Sequence, residues 1–211
     1  MSRISAKLEK LRNRKVVIFS TTAFWINFLA IVLIHNLTGT AGTHLDFSIS
    51  KYVGLTFQSA IAFLIVNVII SFAIWNYLRP LLKNDAQKII LLLIVITLVG
   101  LSIFPIGLFD NIIPEPIILG RTPISFLHVL TSRTMFVLMA TFALLTFFLG
   151  DSENKGKKLY RREVLVTNLA FVMYAAVCIV CYIFFPDFFW TFDIIFESAY
   201  IAFFFNVVLS F

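Results

Sequence analysis

Arg133 and Glu197 are charged side chains set inside long apolar stretches, the first within the run from Pro123 to Leu149 and the second within the run from Trp190 to Phe211. A charge at the centre of a membrane-spanning helix costs at least about 2.5–3.5 kcal/mol on insertion scales, so each is expected to face a bundle interior and a partner. Arg133 lies about ten residues into its run and Glu197 about seven, which at ~1.5 Å per residue puts both roughly 10–15 Å below one membrane surface. Two readings stay open. In one, the residues form a buried ion pair that only fixes one helix against another. In the other, they line an outward-facing polar pocket for a lipid headgroup, anion or substrate, where a guanidinium offers a planar donor fork that stays charged.

His128 is one turn deep in the same run as Arg133, and Asp46, Ser48 and Ser50 lie just before another apolar run. They are the candidate rim of that pocket, and His128 is also a candidate base that Asp46 or Asp110 would orient. His35, His44 and His128, with Asp46 or Asp110, supply the residue types of a metal site. None has the close helical spacing of a metal-binding motif, so no metal and no cofactor are expected. Cys178 and Cys181 sit among Val177, Ile179 and Val180 in one apolar run, where a thiol is inert packing rather than a redox pair. Asn27, Gln58 and Asn67, inside apolar runs, are expected to hydrogen-bond between helices. A phosphate-binding glycine loop, a Gly-x-Ser-x-Gly elbow and a selectivity-filter sequence are all missing.

The elements that would position these residues follow from composition. The chain of 211 residues is 60% hydrophobic and 13% charged, with a mean hydropathy of +0.97, whereas a soluble domain is about half apolar and about a quarter charged. Apolar runs of about 20 residues match a hydrocarbon core roughly 30 Å thick. Spans are predicted over about 16–34, 52–77, 89–104, 123–149, 164–185 and 190–211. They define an all-α integral membrane bundle of six transmembrane helices, 16–211, preceded by a basic juxtamembrane segment, 1–15, able to lie on the membrane surface as a short amphipathic helix. The first run exceeds the roughly 7–15 apolar residues of a cleaved signal peptide, so it is read as an uncleaved span. The absence of ~10-residue alternating segments argues against a barrel.

Of the 17 Lys and Arg residues, this layout puts six before the first span, three between the second and third, and five between the fourth and fifth. All fourteen share one side, and only Lys51, Arg121 and Arg133 fall elsewhere. The positive-inside rule makes that side the cytoplasm, with both termini inside. The formal charge of +6 is thus read as topology and contact with anionic lipid headgroups at the basic loops, not as a nucleic-acid surface.

Leu45-Asp46-Phe47-Ser48-Ile49-Ser50-Lys51-Tyr52-Val53-Gly54, then Gly100-Leu101-Ser102-Ile103-Phe104-Pro105, then His128 resemble a known arrangement. It is that of the prokaryotic six-helix membrane family of unknown function related to the Frag-like and DRAM-like membrane proteins. The resemblance implies a six-helix bundle with no established activity, sited in a prokaryotic plasma membrane, and singles out Ser48, Ser50, Gly54, Phe104, Pro105 and His128 as an outer-face signature. Eukaryotic relatives linked to lipid remodelling and to lysosomal autophagy suggest lipid handling. The leading expectation is a membrane protein that binds a lipid or small anionic amphiphile through Arg133, Glu197, His128, Asp46, Ser48 and Ser50. The alternatives are a membrane enzyme acting on lipid or cell-envelope substrates, and a small transporter or accessory subunit with protein partners.

Overall fold

The computed structural model describes residues 3–39, 49–105, 108, 113–118, 120–149, 158–185 and 189–211. Among these the chain forms seven helices: α1 Arg3–Leu37, α2 Ile49–Val53, α3 Phe57–Leu78, α4 Asp85–Ile103, α5 Pro123–Leu149, α6 Lys158–Phe184 and α7 Phe189–Leu209. No strand occurs among the described residues beyond an isolated bridge between Ile118 and Arg121, closed by Gly120 at a φ of 76° that a side-chain-bearing residue rarely adopts. His44, Asp46, Ser48 and Asp110 lie outside the described residues, as do the side chains of Cys178 and Cys181.

Local chemistry explains the boundaries. Pro123 opens α5, where its missing N–H has no intrahelical acceptor to lose. The Asn84 side chain caps α4 by accepting from Ala86 N at 2.8 Å. The basic segment before residue 16 is not a separate surface helix. It continues straight into α1, because nothing between Arg3 and Leu37 is a glycine or proline that would break the run. The run from 52 to 77 is not one helix either: α2 ends before Gly54, and Thr56, in extended backbone geometry, starts α3 by accepting from Ser59 N at 3.2 Å. A β-branched hydroxyl residue at that position satisfies an orphan N–H and resets the chain direction.

The six long helices pack in chain order, each against the next, and α1 also meets α7. Hydrogen bonds fix their directions. Arg14, early in α1, donates to Leu209 O at the end of α7; His35, late in α1, meets Ser59 early in α3; Gln87, early in α4, donates to Thr146 late in α5; and Thr167, early in α6, donates to Phe203 O late in α7. The start of α1 and the end of α7 therefore share one end of the bundle, called here the termini end. Aromatic rings of Phe24, Phe63 and Phe205, and of Phe136, Tyr174 and Tyr200, form the interior. The exterior is apolar as well: Phe19, Ile69, Ile96, Val137, Val172 and Ile195, one from each long helix, are more than half exposed. Water does not tolerate that much contiguous apolar surface. Four helical stretches, Leu11–Leu37, Phe57–Leu78, Asp85–Ile103 and Pro123–Thr146, are long and apolar enough to cross a membrane.

Candidate functional site

The half of the bundle away from the termini end encloses a cavity of about 50 Å³. Its walls are mostly apolar, and its polar groups are Ser50 on α2, Asn67 on α3, His128 and Ser132 on α5 and Glu197 on α7. A water needs roughly 10–15 Å³ of such space and two to four polar partners, so the cavity has room for a few. Small-molecule sites are typically ~300–1,000 Å³, so the cavity is small beside them.

Two of the polar groups, His128 and Asn67, are held by hydrogen bonds to neighbouring helices or their ends. Helix α4 ends at Ile103, and Phe104 leaves helical geometry with φ −116° and ψ 62°. Its carbonyl meets His128 Nδ1 at 2.6 Å. A carbonyl can only accept, so Nδ1 carries the proton of this hydrogen bond. The role of orienting His128, expected of Asp46 or Asp110, is filled at Nδ1 by this backbone carbonyl, the kind of group helix ends leave without an internal partner.

Asn67, fully buried, donates through Nδ2 to Ser102 Oγ at 2.6 Å. The Ser102 hydroxyl is itself directed to Leu98 O at 3.2 Å, so its oxygen must accept from the amide nitrogen. That fixes the amide orientation, and Asn67 Oδ1 is left buried without a hydrogen-bond partner.

Glu197 is 9% exposed. One turn further along α7 the Tyr200 hydroxyl donates to Phe136 O at 3.0 Å, clamping α7 to α5 in the register that brings Glu197 to the cavity. At the far end Ile49, Ser50 and Val53 of α2 make one wall. Asn36 on α1 ties that helix down by donating to Tyr52 Oη at 3.3 Å.

Arg133 departs from expectation. It is exposed rather than turned inward, and it is not among the cavity-lining residues, although Ser132 is. Successive helical residues point about 100° apart, so a serine on the cavity face puts the next residue on the flank. There its guanidinium donates to Tyr174 Oη and lies 5.2 Å from the centre of that ring. The phenol supplies both an acceptor and a π face for the charge. His35, expected at the interface, is 3% exposed and meets Ser59 Oγ at 2.8 Å. Gln58 is exposed and Asn27 Nδ2 has no hydrogen-bond partner, whereas Asn67 does bond between helices. Ser132 was missed in the sequence; its signal was its place four residues after His128, on the same helical face.

Comparison with protein-family models, with curated proteins and with solved structures finds no match. Ser50, Pro105 and His128 come from three separated segments and line one cavity, and Phe104 holds His128. Among the described residues no three His, Cys, Asp or Glu side chains come together as a metal centre would require.

Proposed function

We propose that this chain is a six-span integral membrane protein with both termini in the cytoplasm, and that its outer-half cavity binds a small polar solute arriving from outside, as a transporter or receptor site does. The observation carrying this reading is the convergence of His128, Glu197 and the orphan carbonyl of Asn67, from three helices, on one cavity inside an apolar bundle. Ionisable groups at that depth are costly and mark solute pathways. Six spans are supported by the lipid-like exterior shared by all six long helices. Orientation is supported by the basic residues Arg12, Arg14, Arg79, Lys83 and Lys88 at the termini end, which would also meet anionic headgroups. The resemblance to the Frag-like and DRAM-like membrane proteins, and with it a prokaryotic plasma membrane, is part of this proposal.

Ser132→Cys, in a background carrying Cys178→Ala and Cys181→Ala, tests the reading. Silver ion, a thiol-binding probe small enough for the cavity, added outside intact cells should bind it and protect it from alkylation after denaturation, while Val137→Cys, on the lipid face, stays unprotected because the reactive thiolate does not form in hydrocarbon. An unprotected Ser132→Cys in folded protein contradicts access from outside.

A second reading, an anionic lipid or amphiphile held on the α5–α6 flank, is favoured by the exposed guanidinium of Arg133 beside Tyr174. Native mass spectrometry should then show a specific anionic lipid retained by the wild type and lost from Arg133→Ala. Identical spectra would leave Arg133 a structural residue.

A further inference from the structure

We propose that the cleft at the turn between α3 and α4 binds the headgroup of one phospholipid of net negative charge, with Arg79 as the phosphate ligand. The inference rests on the reading of the chain as a membrane protein with its termini end at a membrane surface. It is independent of the cavity in the other half.

The cleft is open, about 640 Å³ in volume, and lined by Asn76, Arg79, Pro80, Leu82, Asp85 and Lys88. That volume lies within the ~300–1,000 Å³ of small-molecule sites. The sequence builds the cleft locally. Helix α3 ends at Leu78, Arg79 and Pro80 follow, and Asn84 starts α4, so a short turn holds the last turn of one helix beside the first turn of the next. A helix C-terminus ordinarily disfavours an anion because its carbonyls lack internal partners. Here Arg79 N donates to Trp75 O at 3.0 Å, and Leu81 N and Leu82 N donate to Leu78 O at 2.8 and 3.1 Å. Two of the last four carbonyls of α3 are thereby taken.

Charge settles the sign of the occupant. Lys88 Nζ pairs with Asp85 at 2.8 Å, which leaves Arg79 as the surplus among the lining residues. Its guanidinium stays charged, and among the described residues it lies 5.4 Å from the centre of the Trp75 ring rather than against a carboxylate. The ring takes a face of the guanidinium and leaves its planar fork of donors for a phosphate. Stacking also orders a long side chain in advance, which lowers the cost of binding. Asn76 adds an amide that can donate to phosphate or accept from a headgroup hydroxyl. The ammonium of a zwitterionic headgroup finds only Asp85, already paired with Lys88.

The surrounding surface makes the occupant a lipid rather than a free anion. On α3, Ile65, Ile69, Phe72 and Asn76 follow at three- and four-residue spacing, on one helical face, and all are exposed. On α4, Ile96, Leu92 and Ile89 lead in the same way to Asp85, and all four are exposed. Each stripe is apolar within its span and ends at the cleft, so the chains and the headgroup of one lipid meet continuous surface.

The test is native mass spectrometry of the full chain in detergent micelles, titrated with phosphatidylglycerol or with phosphatidylcholine of the same chains. One phosphatidylglycerol is expected to bind, about fivefold tighter than phosphatidylcholine, the scale of one basic residue acting on an anionic lipid. Arg79→Gln should weaken it by about tenfold, as loss of a hydrogen bond to a charged group does. Arg79→Lys should weaken it less, because the charge stays and only the fork is lost. Arg12→Gln removes the same charge at the same end of the bundle, from an exposed residue outside the cleft, and should bind as wild type does.

Equal affinity for the two lipids overturns the proposal. So does wild-type affinity in Arg79→Gln, or an equal loss in Arg12→Gln, which would make the effect a general attraction of charge. Displacement of the lipid by millimolar glycerol phosphate would make the cleft a soluble-anion site instead. Arg133→Ala should keep this lipid, and its loss there would assign the lipid to the α5–α6 flank. A chain that stays soluble without detergent brings down the membrane reading and this site together. A chain that needs detergent and shows no preference for phosphatidylglycerol brings down the site alone.

Discussion

At the termini end of the bundle, Leu78, Leu91, Phe142, Phe204 and Val208 are wholly buried, and the buried polar pair Gln87–Thr146 closes on itself. In the other half, built from the same long helices, Asn67, His128 and Glu197 are buried on the wall of a cavity, and His35 and Ser102 are buried in the same half. The difference is one of purpose in the packing. In lipid, apolar burial supplies little drive for helices to associate, so close packing and hydrogen bonds must do it. The termini half fills its interior with apolar side chains, although the Tyr77 hydroxyl is also buried there without a hydrogen-bond partner. The far half leaves space unfilled and leaves Asn67 Oδ1 unsatisfied, which is the pattern of a site held open by a rigid base.

The comparison can be broken most sharply with two leucines on one face of α4. Leu91, fully buried in the packed half, and Leu98, 6% exposed and on the cavity wall, differ in what surrounds them. Leu91→Ala should cost toward the upper end of about 2–5 kcal/mol and Leu98→Ala toward the lower end, because water can enter an enlarged polar cavity but not a dry one. Equilibrium unfolding in mixed micelles measures both, and equal costs would remove the distinction.

Tyr174→Phe keeps the ring under Arg133 and removes its acceptor. A loss of about 1.5–3 kcal/mol, the worth of a hydrogen bond to a charge, is expected in the same unfolding assay, with Tyr174→Leu costing more. An unchanged stability would mean the guanidinium is stabilised elsewhere. The smallest effect belongs to Gln87→Leu, which removes a closed interhelical pair at the termini end and should cost about 0.6 kcal/mol while leaving accessibility of Ser132→Cys from outside as it was. A change in silver protection would show that the two halves are coupled.

Helix α5 was legible from the sequence to the residue, because Pro123 and the charged stretch after Leu149 punctuate it. The split between α2 and α3 was not, since the apolar run continues across Gly54 and Thr56 and only their turn and cap chemistry marks the break. For the site, the rarity of ionisable residues in apolar runs singled out His128 and Glu197, and both line the cavity with Ser50. Depth along a helix is readable by counting, but rotation about its axis is set by neighbours. That is why Arg133 was expected inside and is found on the flank, one residue from Ser132. The part of Asn67 also depended on tertiary structure, because only the Ser102–Leu98 hydrogen bond determines which end of its amide is left over.

Two methionines on one face of α5 offer the most direct test of a hydrated far half beside a dry packed one. Met135 and Met139 are both buried, at 2% and 1%, and only Met135 lines the cavity. Hydroxyl radicals generated by X-ray radiolysis oxidise thioether sulfur to the sulfoxide wherever water lies beside it. Oxidation of Met135 several-fold faster than Met139, in unaltered protein in nanodiscs, is the predicted result. Equal and slow oxidation of the two would mean that the cavity is dry and that the far half is packed like the rest.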